Sequence, residues 1–503
     1  MHELLDWLRS HWFALEPWSL WLIGVSWAIR VALGVRLVCS KRSVPVILSW
    51  MVLVFTLPIP GAIVYLLVGE NRLGTLRQRE RHQMTSQIKP LLARRWGERG
   101  LIVQALTLGD RAAPVAKSST AVGLVPPLRG NRLKLIASPD DYLTLLIRDI
   151  DAATSHCHLL YYIWMKGGRA EEVAKALTRA ARRGVKCKLL VDDVGSRPFL
   201  RSAMVDTLRE AGVRVQEALP AGVFRALLNR LDLRNHRKIA VIDGLVAYMG
   251  SQNLTDNTYH YRKSRRLGPW VDASVRVEGP AVQALAMTFL TDWAVEVDED
   301  VPIHDKYLPK EAEEVSVESG GAVAQVVPTG PSPTSRAAMR EAFLAAIYSA
   351  TKELIISTPY FAPDEATDAA LQAAARRGVA VTLILPRRSD HWIVDHAGRA
   401  YIEPMLDAGA RVFQFRHGLL HAKTMVVDGE IALVGSANLD MRSFWLNYEV
   451  SLVVYDAPFA ADLRTLQLDY IQMSQELDAH AWAMRSRWER LKEGVARLFG
   501  PLL

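Results

Sequence analysis

Two stretches of this sequence carry the same set of reactive side chains. "HRKIAVIDGLVAYMGSQN" covers residues 236–253 and "HAKTMVVDGEIALVGSAN" covers residues 421–438. In each, a His is followed by Lys two residues later, then by Asp-Gly and by Gly-Ser-x-Asn. Every member recurs 185 positions on: His236 as His421, Lys238 as Lys423, Asp243 as Asp428, Ser251 as Ser436 and Asn253 as Asn438. Two such sets suit phosphoryl chemistry. A neutral imidazole attacks phosphorus while an imidazolium opposite protonates the departing oxygen, and the roles reverse in a second step. One His cannot easily do both at once. Two Lys and two Asn supply donors for the growing equatorial charge on the phosphate, a part often played by a metal. No HExxH, CxxC or acidic cluster suggests a metal, so neither a metal nor another cofactor is expected.

The elements that must position these groups follow from the same stretches. His and Lys two apart at the start of an apolar, β-branched run place both side chains on one face of a strand. Asp243-Gly244 and Asp428-Gly429 predict tight turns, each followed by a second strand leading to Gly-Ser-x-Asn. Each copy is thus a β-hairpin aiming His, Lys, Ser and Asn at one place. Seven residues past the His and inside the turn, Asp243 and Asp428 read as organisers of the hairpin more than as participants in chemistry. An imidazole nucleophile needs a carboxylate to fix its tautomer. Asp272 in "PWVDASVRV" and Glu449 in "LNYEVSLVV" are the candidates, each entering an apolar strand shortly after its own motif.

Around the motifs the chain repeats itself. "AARRGVKCKLLVD" at residues 180–192 parallels "AARRGVAVTLILP" at 374–386, and "AGVRV" at 211–215 parallels "AGARV" at 408–412. Helix, Gly stop and β-branched strand form a βαβ pattern, which predicts an α/β fold with mixed sheets flanked by helices. Two long copies make a duplicated domain rather than a solenoid. The halves are read as 131–310 and 336–503, joined by a linker at 311–335. The segment at 109–131, rich in Pro and small residues, also reads as a linker.

At 503 residues the chain is long enough for more than one domain. Its net charge of +8 and pI near 9.3 suit an anionic partner, lipid or nucleic acid. Three scattered cysteines, Cys39, Cys157 and Cys187, give no disulfide framework and point to a reducing compartment. The mean hydropathy of +0.07 is raised by the N-terminus. Residues 44–69 contain no charge and are long enough to cross a bilayer, with Pro58 and Pro60 as points of kinking. Residues 18–38 form a second candidate span carrying Arg30 and Arg36. Acidic residues near the start and the lack of an A-x-A site argue against a cleaved leader. Residues 72–99 hold eight Lys or Arg against Glu80 and Glu98, which reads as a cytoplasmic stop and a contact for anionic headgroups. The expected arrangement is a membrane region at 1–70, a basic segment and linker at 71–130, and the duplicated domain on the cytoplasmic side.

H-x-K-x4-D followed by G-S-x-N, twice in one chain, resembles the phospholipase D superfamily. With the paired N-terminal apolar segments and the phrases "YYIW", "LDLRNHRK", "LLHAK" and "NLDMRS", the chain looks like a member of the bacterial cardiolipin synthase family. The resemblance implies two halves packed about a pseudo-twofold axis and sharing one active site. It implies a phosphohistidine intermediate, with phosphatidylglycerol as donor and acceptor and glycerol released. It also implies an inner-membrane, multi-pass location and no nucleic-acid partner. The catalytic set it carries over is His236, Lys238, Asp243, His421, Lys423 and Asp428, with Ser251, Asn253, Ser436 and Asn438 as substrate-binding residues. His236 is the nucleophile by resemblance alone. The alternative is a phosphodiesterase that hydrolyses phospholipid or nucleic acid with the same histidines.

Other features read as structural. His156 and His158 are strand-entry residues, Gly167-Gly168 a turn, and His391 and His396 loop residues. The tail from Trp488 is amphipathic and suits either a membrane surface or packing against the domain.

Overall fold

The computed structural model describes residues 17–40, 44–69, 75–123, 125–220, 233–255, 267–297, 307–309, 321–331 and 338–498. The chain divides into two compact units, the first ending at Arg72.

In the first unit, Pro17–Val38 is one helix of 22 residues, and Trp21–Val38 is long and apolar enough to cross a membrane. The Arg30 guanidinium lies 5.0 Å from the Trp27 ring, a local partner for the deepest charge. The segment 44–69 breaks at Pro58, one of its expected points of kinking. Val44–Thr56 stops at Leu57, Pro58–Val64 follows, and Tyr65–Gly69 is a π-helical turn. Pro58 lacks an amide hydrogen and its ring crowds the preceding turn, so the helix restarts with proline at its first position. Leu37, Trp50, Val54 and Tyr65 close a small core. Trp21, Ile23, Trp27, Val31, Val35, Leu48, Val52, Phe55 and Ile63 are exposed, leaving an apolar outer surface.

The second unit is built on strands that are apolar on both faces. The first half contributes β1 (Leu128–Ile136), β2 (His156–Tyr161), β3 (Lys186–Asp192), β4 (Arg214–Ala218), β5 (Ile239–Ile242), β6 (Val246–Gly250), β7 (Trp270–Val271) and β8 (Ser274–Glu278). The second contributes β9 (Ala322–Thr329), β10 (Glu353–Ser357), β11 (Phe361–Ala362), β12 (Ala380–Pro386), β13 (Arg411–Phe415) and β14 (Leu419–Leu420). It continues with β15 (Thr424–Val427), β16 (Ile431–Gly435), β17 (Leu439–Asp440), β18 (Glu449–Tyr455) and β19 (Ser474–Glu476). Among the described residues, 15 of these strands form one sheet, in the order β19-β13-β12-β10-β15-β16-β18-β9-β1-β8-β6-β5-β2-β3-β4. Outward from the antiparallel β1–β9 pair the two arms repeat the same order of strands, with β19 added at the end of the second, so the pseudo-twofold runs between β1 and β9.

Side chains alternate between the two faces and find helices on both. Ile239 and Val241 of β5 join the core under Ala281–Val297 and Ala457–Gln472, whereas Ala240 and Ile242 join the core under Pro139–Ala152 and Arg169–Arg182. Burial on both faces accounts for the unbroken apolar runs.

Three expected linkers or surface segments carry structure instead. Residues 112–123 form a helix, Ala112–Gly123, whose Ala112 and Val115 pack with Met339 and Phe343. Small side chains let it approach closely, which composition alone reads as linker. The presumed joint at 311–335 holds β9, the innermost strand of the second arm, next to β1. The basic segment is a helix, Thr75–Glu98, that buries Met84, Ile88, Leu92 and Trp96 in the main core. His156 and His158 lie buried on β2, and Gly167-Gly168 is a positive-φ turn. His391 caps, and His396 lies within, the helix Trp392–Asp407, so only part of the expected loop exists.

Candidate active site

Each His-x-Lys segment falls just before its strand, since β5 starts at Ile239 and β15 at Thr424. The segments are held by the opposite half. His236 N donates to Tyr448 O at 2.9 Å, and His421 N donates to Val271 O at 2.7 Å. β14 pairs in parallel with β7, and Asn235 bridges to Tyr448 in the equivalent place. The strand ends of each half therefore seat the histidine of the other.

The carboxylates cross as well. His236 Nδ1 lies 3.0 and 3.1 Å from the two oxygens of Glu449, and 3.2 Å from Ser436 O. His421 Nδ1 lies 2.6 Å from Asp272 Oδ1. These partners only accept, so Nδ1 carries the proton and Nε2 keeps its lone pair for a reacting atom. The sequence places each carboxylate after its own motif; the fold gives each to the other motif, because β8 and β18 flank the twofold and reach across it.

Ser251 and Ser436 serve these carboxylates rather than an open site. Ser251 Oγ donates to Asp272 at 2.6 Å and Ser436 Oγ to Glu449 at 2.5 Å. Each also accepts a backbone amide, from Ala273 and Val450, at 3.0 Å. Their expected substrate contact is thereby replaced by a positioning role.

The Asp of each motif is not brought to the histidines. Asp243 and Asp428 sit at the far ends of β5 and β15, roughly 20 Å along the chain from His236 and His421. Their φ values of 51° and 52°, followed by Gly at 69° and 70°, build the predicted turns. Asp243 accepts from the amides of Thr154, Ser155 and His156 at 2.8 Å. Asp428 accepts from Thr351, Lys352 and Glu353 at 2.8–2.9 Å. Each pins the hairpin to the start of the next strand, and these amides hold both carboxyls below the usual range against burial, which raises them. The catalytic label carried over by resemblance does not fit these positions.

Burial pushes both imidazoles down to about 4, with Glu449 opposing at His236 and Lys423 reinforcing at His421. Burial also lowers Lys238 to about 8 and Lys423 well below its ordinary value. Each Lys Nζ donates to the carbonyl of its own His, at 2.5 Å for Lys238 and 2.7 Å for Lys423. The charge of each Lys reaches the other motif's His, so the two sets form one electrostatic site. An arriving phosphodiester anion raises all four groups toward their charged forms.

The asparagines differ. Asn253 Oδ1 accepts from Ile163 N at 3.1 Å, and its Nδ2 has no partner among the described residues. Asn438 Nδ2 donates to Asp440 at 3.0 Å, leaving Oδ1 unpartnered among them. The aromatic neighbours went unread in the sequence: Tyr162 stands edge-on to His236 at 4.7 Å, and Trp270 stacks on His421 at 4.3 Å. Arg237 is also new. It is 2% exposed and donates to Asp292, Glu449 O and Thr329 O. Its place inside a His-x-Lys motif was the available signal.

A twofold sheet with two carboxylate-held histidines and two lysines defines a phospholipase D-like fold built for phosphotransfer. A profile described as "Cardiolipin synthase, PLD-like domain" matches residues 146–293 and 343–467. Cardiolipin synthase A of Edwardsiella ictaluri is 38% identical over 481 residues, covering 95% of this chain and 97% of that protein. Cardiolipin synthase A of Yersinia pseudotuberculosis is 38% identical over 482 residues, with the same shares. The phosphatidylserine synthase structure from Haemophilus influenzae shares the fold, with a TM-score of 0.55 at 14% identity, over 77% of this chain and 98% of that one. The chain belongs to the cardiolipin synthase family of phospholipase D-like proteins.

Proposed function

We propose that this protein is a membrane phosphatidyltransferase that makes cardiolipin from two phosphatidylglycerol molecules and releases glycerol. The observation that carries this reading is the crossed pair Glu449–His236 and Asp272–His421, which leaves two Nε2 atoms available in one site. His236 Nε2 attacks the phosphorus of the first lipid. The P–N bond forms, the P–O bond to glycerol breaks, and the His421 imidazolium gives its proton to the departing oxygen. His421 then takes the proton from the hydroxyl of a second phosphatidylglycerol. That oxygen attacks phosphorus, the P–N bond breaks, and cardiolipin leaves. His236 takes the nucleophilic role by resemblance to the superfamily. Lys238, Lys423 and Asn253 stabilise the equatorial oxygens, so turnover needs no metal. The apolar helix at Trp21–Val38 and the adjoining broken helices support a multi-pass bacterial inner-membrane location with the large unit in the cytoplasm. The test is lipid mass spectrometry on purified protein given phosphatidylglycerol alone. Cardiolipin with one glycerol per molecule is expected; phosphatidic acid as the sole product would replace transfer by hydrolysis.

A further inference from the structure

The helix Arg487–Leu498 turns its polar side inward. Glu493 and Ala496 are buried against Trp392–Asp407, and Glu493 accepts from Arg399 at 3.1 Å and Arg485 at 3.0 Å. Trp488, Leu491, Val495 and Leu498 point outward, 48–65% exposed. Their spacing of three, four and three residues makes one continuous stripe. Arg487 and Lys492 fall on its two edges, where cations snorkel around an interfacial helix. The neighbouring helix adds Trp392 and Ile393, 62% and 41% exposed, in its first turn. Arg399 with Glu493, Arg497 over Tyr401, and Arg490 with Glu403 pack the two helices against each other.

The start of Trp392–Asp407 leads toward the histidines. Asp390, two residues before Trp392, accepts from Tyr360 Oη at 2.6 Å. Tyr360 feels the charge of Asp440, which holds Asn438, and lies near Tyr162, which packs on His236.

We propose that the stripe of Trp488, Leu491, Val495 and Leu498, with Trp392 and Ile393, seats the catalytic unit on an anionic lipid bilayer beside the route to the histidines. Tryptophans, aliphatic side chains and flanking cations are the composition of a surface that enters headgroups. A substrate drawn from the bilayer then has a short path to the site. The inference rests on the phosphatidyltransferase reading for its lipid substrate, and its test separates the two.

The full chain with Cys39→Ser and Leu491→Cys is labelled with an environment-sensitive fluorophore and reconstituted in phosphatidylglycerol–phosphatidylethanolamine vesicles. Blue-shifted emission quenched by a bilayer-embedded quencher is expected, while the same label at Arg132→Cys, an exposed position, stays water-like. The Leu491→Asp/Val495→Asp variant is expected to lose about tenfold or more of its turnover on vesicles. Its turnover on short-chain phosphatidylglycerol dispersed as monomers is expected to match the parent. Two results overturn the proposal: a Leu491 label that stays water-like, and a double variant as active on vesicles as the parent. A label buried only at high protein density overturns it in favour of a second copy of the chain. A parent protein that makes no cardiolipin from either lipid removes the functional reading, while the label still decides the docking.

Discussion

The two histidines occupy equivalent places in a twofold fold, yet their surroundings differ. Glu449 is held by Ser436, Ser443 and Asn447 besides His236, whereas Asp272 has Ser251 and His421 and an oxygen, Oδ2, with no partner among the described residues. His236 meets a tyrosine edge and His421 a tryptophan face. Between His and Lys the first motif has Arg237, tied through Asp292 to Arg81 of the helix Thr75–Glu98. The second has Ala422, packed with Ala273, Ile355 and Phe415. Duplication supplied the same reacting atoms twice. On the proposed mechanism, the divergent shells would suit one site to act as nucleophile and the other as acid.

The largest effect expected is from removing either histidine. His236→Ala and His421→Ala should each lower kcat by about 10^4-fold or more, since both protons pass through one site. They should differ in trapping. With phosphate-labelled lipid bearing a good leaving group, His421→Ala should retain acid-labile, base-stable label and His236→Ala none. The reverse pattern would exchange the roles, and substantial turnover by either variant would end the shared-site mechanism.

Removing a carboxylate should cost less and sharpen the same contrast through pH. Asp272→Asn and Glu449→Gln should each cost roughly 10^2–10^4-fold in kcat, by loss of the tautomer-holding acceptor. The carboxylates oppose the burial that lowers the imidazoles, so either change lowers the partner's value further. An acid is needed protonated and is lost as pH rises; a nucleophile is needed neutral and is lost as pH falls. Asp272→Asn should therefore move the alkaline limb of kcat to lower pH, and Glu449→Gln the acidic limb. Identical shifts would erase the distinction between the halves.

The support around Arg237 predicts a stability difference without a counterpart in the second half. Asp292→Ala leaves the buried Arg237 and the half-buried Arg81 without their anion and should cost about 3–5 kcal/mol in denaturant unfolding. Neither motif should lose its chemistry in the protein that remains folded.

The smallest effect expected, and the most symmetric, is at the hairpin turns. Asp243→Ala and Asp428→Ala each release three backbone amides and should cost about 2–3 kcal/mol, with kcat per folded molecule nearly kept. Both carboxyls are lowered in the folded state. Their stabilisation is complete above the unfolded value near 4 and fades as pH falls through the lower folded value. A kcat loss matching that of the histidine variants would return them to the catalytic set.

Much of this was legible in the residues. The repeat, the βαβ halves and the four reacting side chains needed only spacing and strand periodicity. The two carboxylates were found by type and position. Less could be read where composition misleads: Ala112–Gly123 looked like linker because small residues serve both loops and close helix packing. The basic run read as a stop and a headgroup contact, yet Met84, Ile88 and Leu92, four apart on one helix face, lay within it.

By itself the sequence determined the candidate reacting groups, because these depend on side-chain type and on local spacing, properties each stretch carries with it. It also determined the turns at Asp243-Gly244 and Asp428-Gly429, where two successive positive φ values demand such residues. Only the tertiary structure decided who holds whom. Glu449 reaches His236 across 213 residues and Asp272 reaches His421 across 149. Those partnerships exist because β1 and β9 pair at the twofold and bring β8 and β18 to either side of it. No local pattern encodes that pairing, since each half alone satisfies the same periodicities.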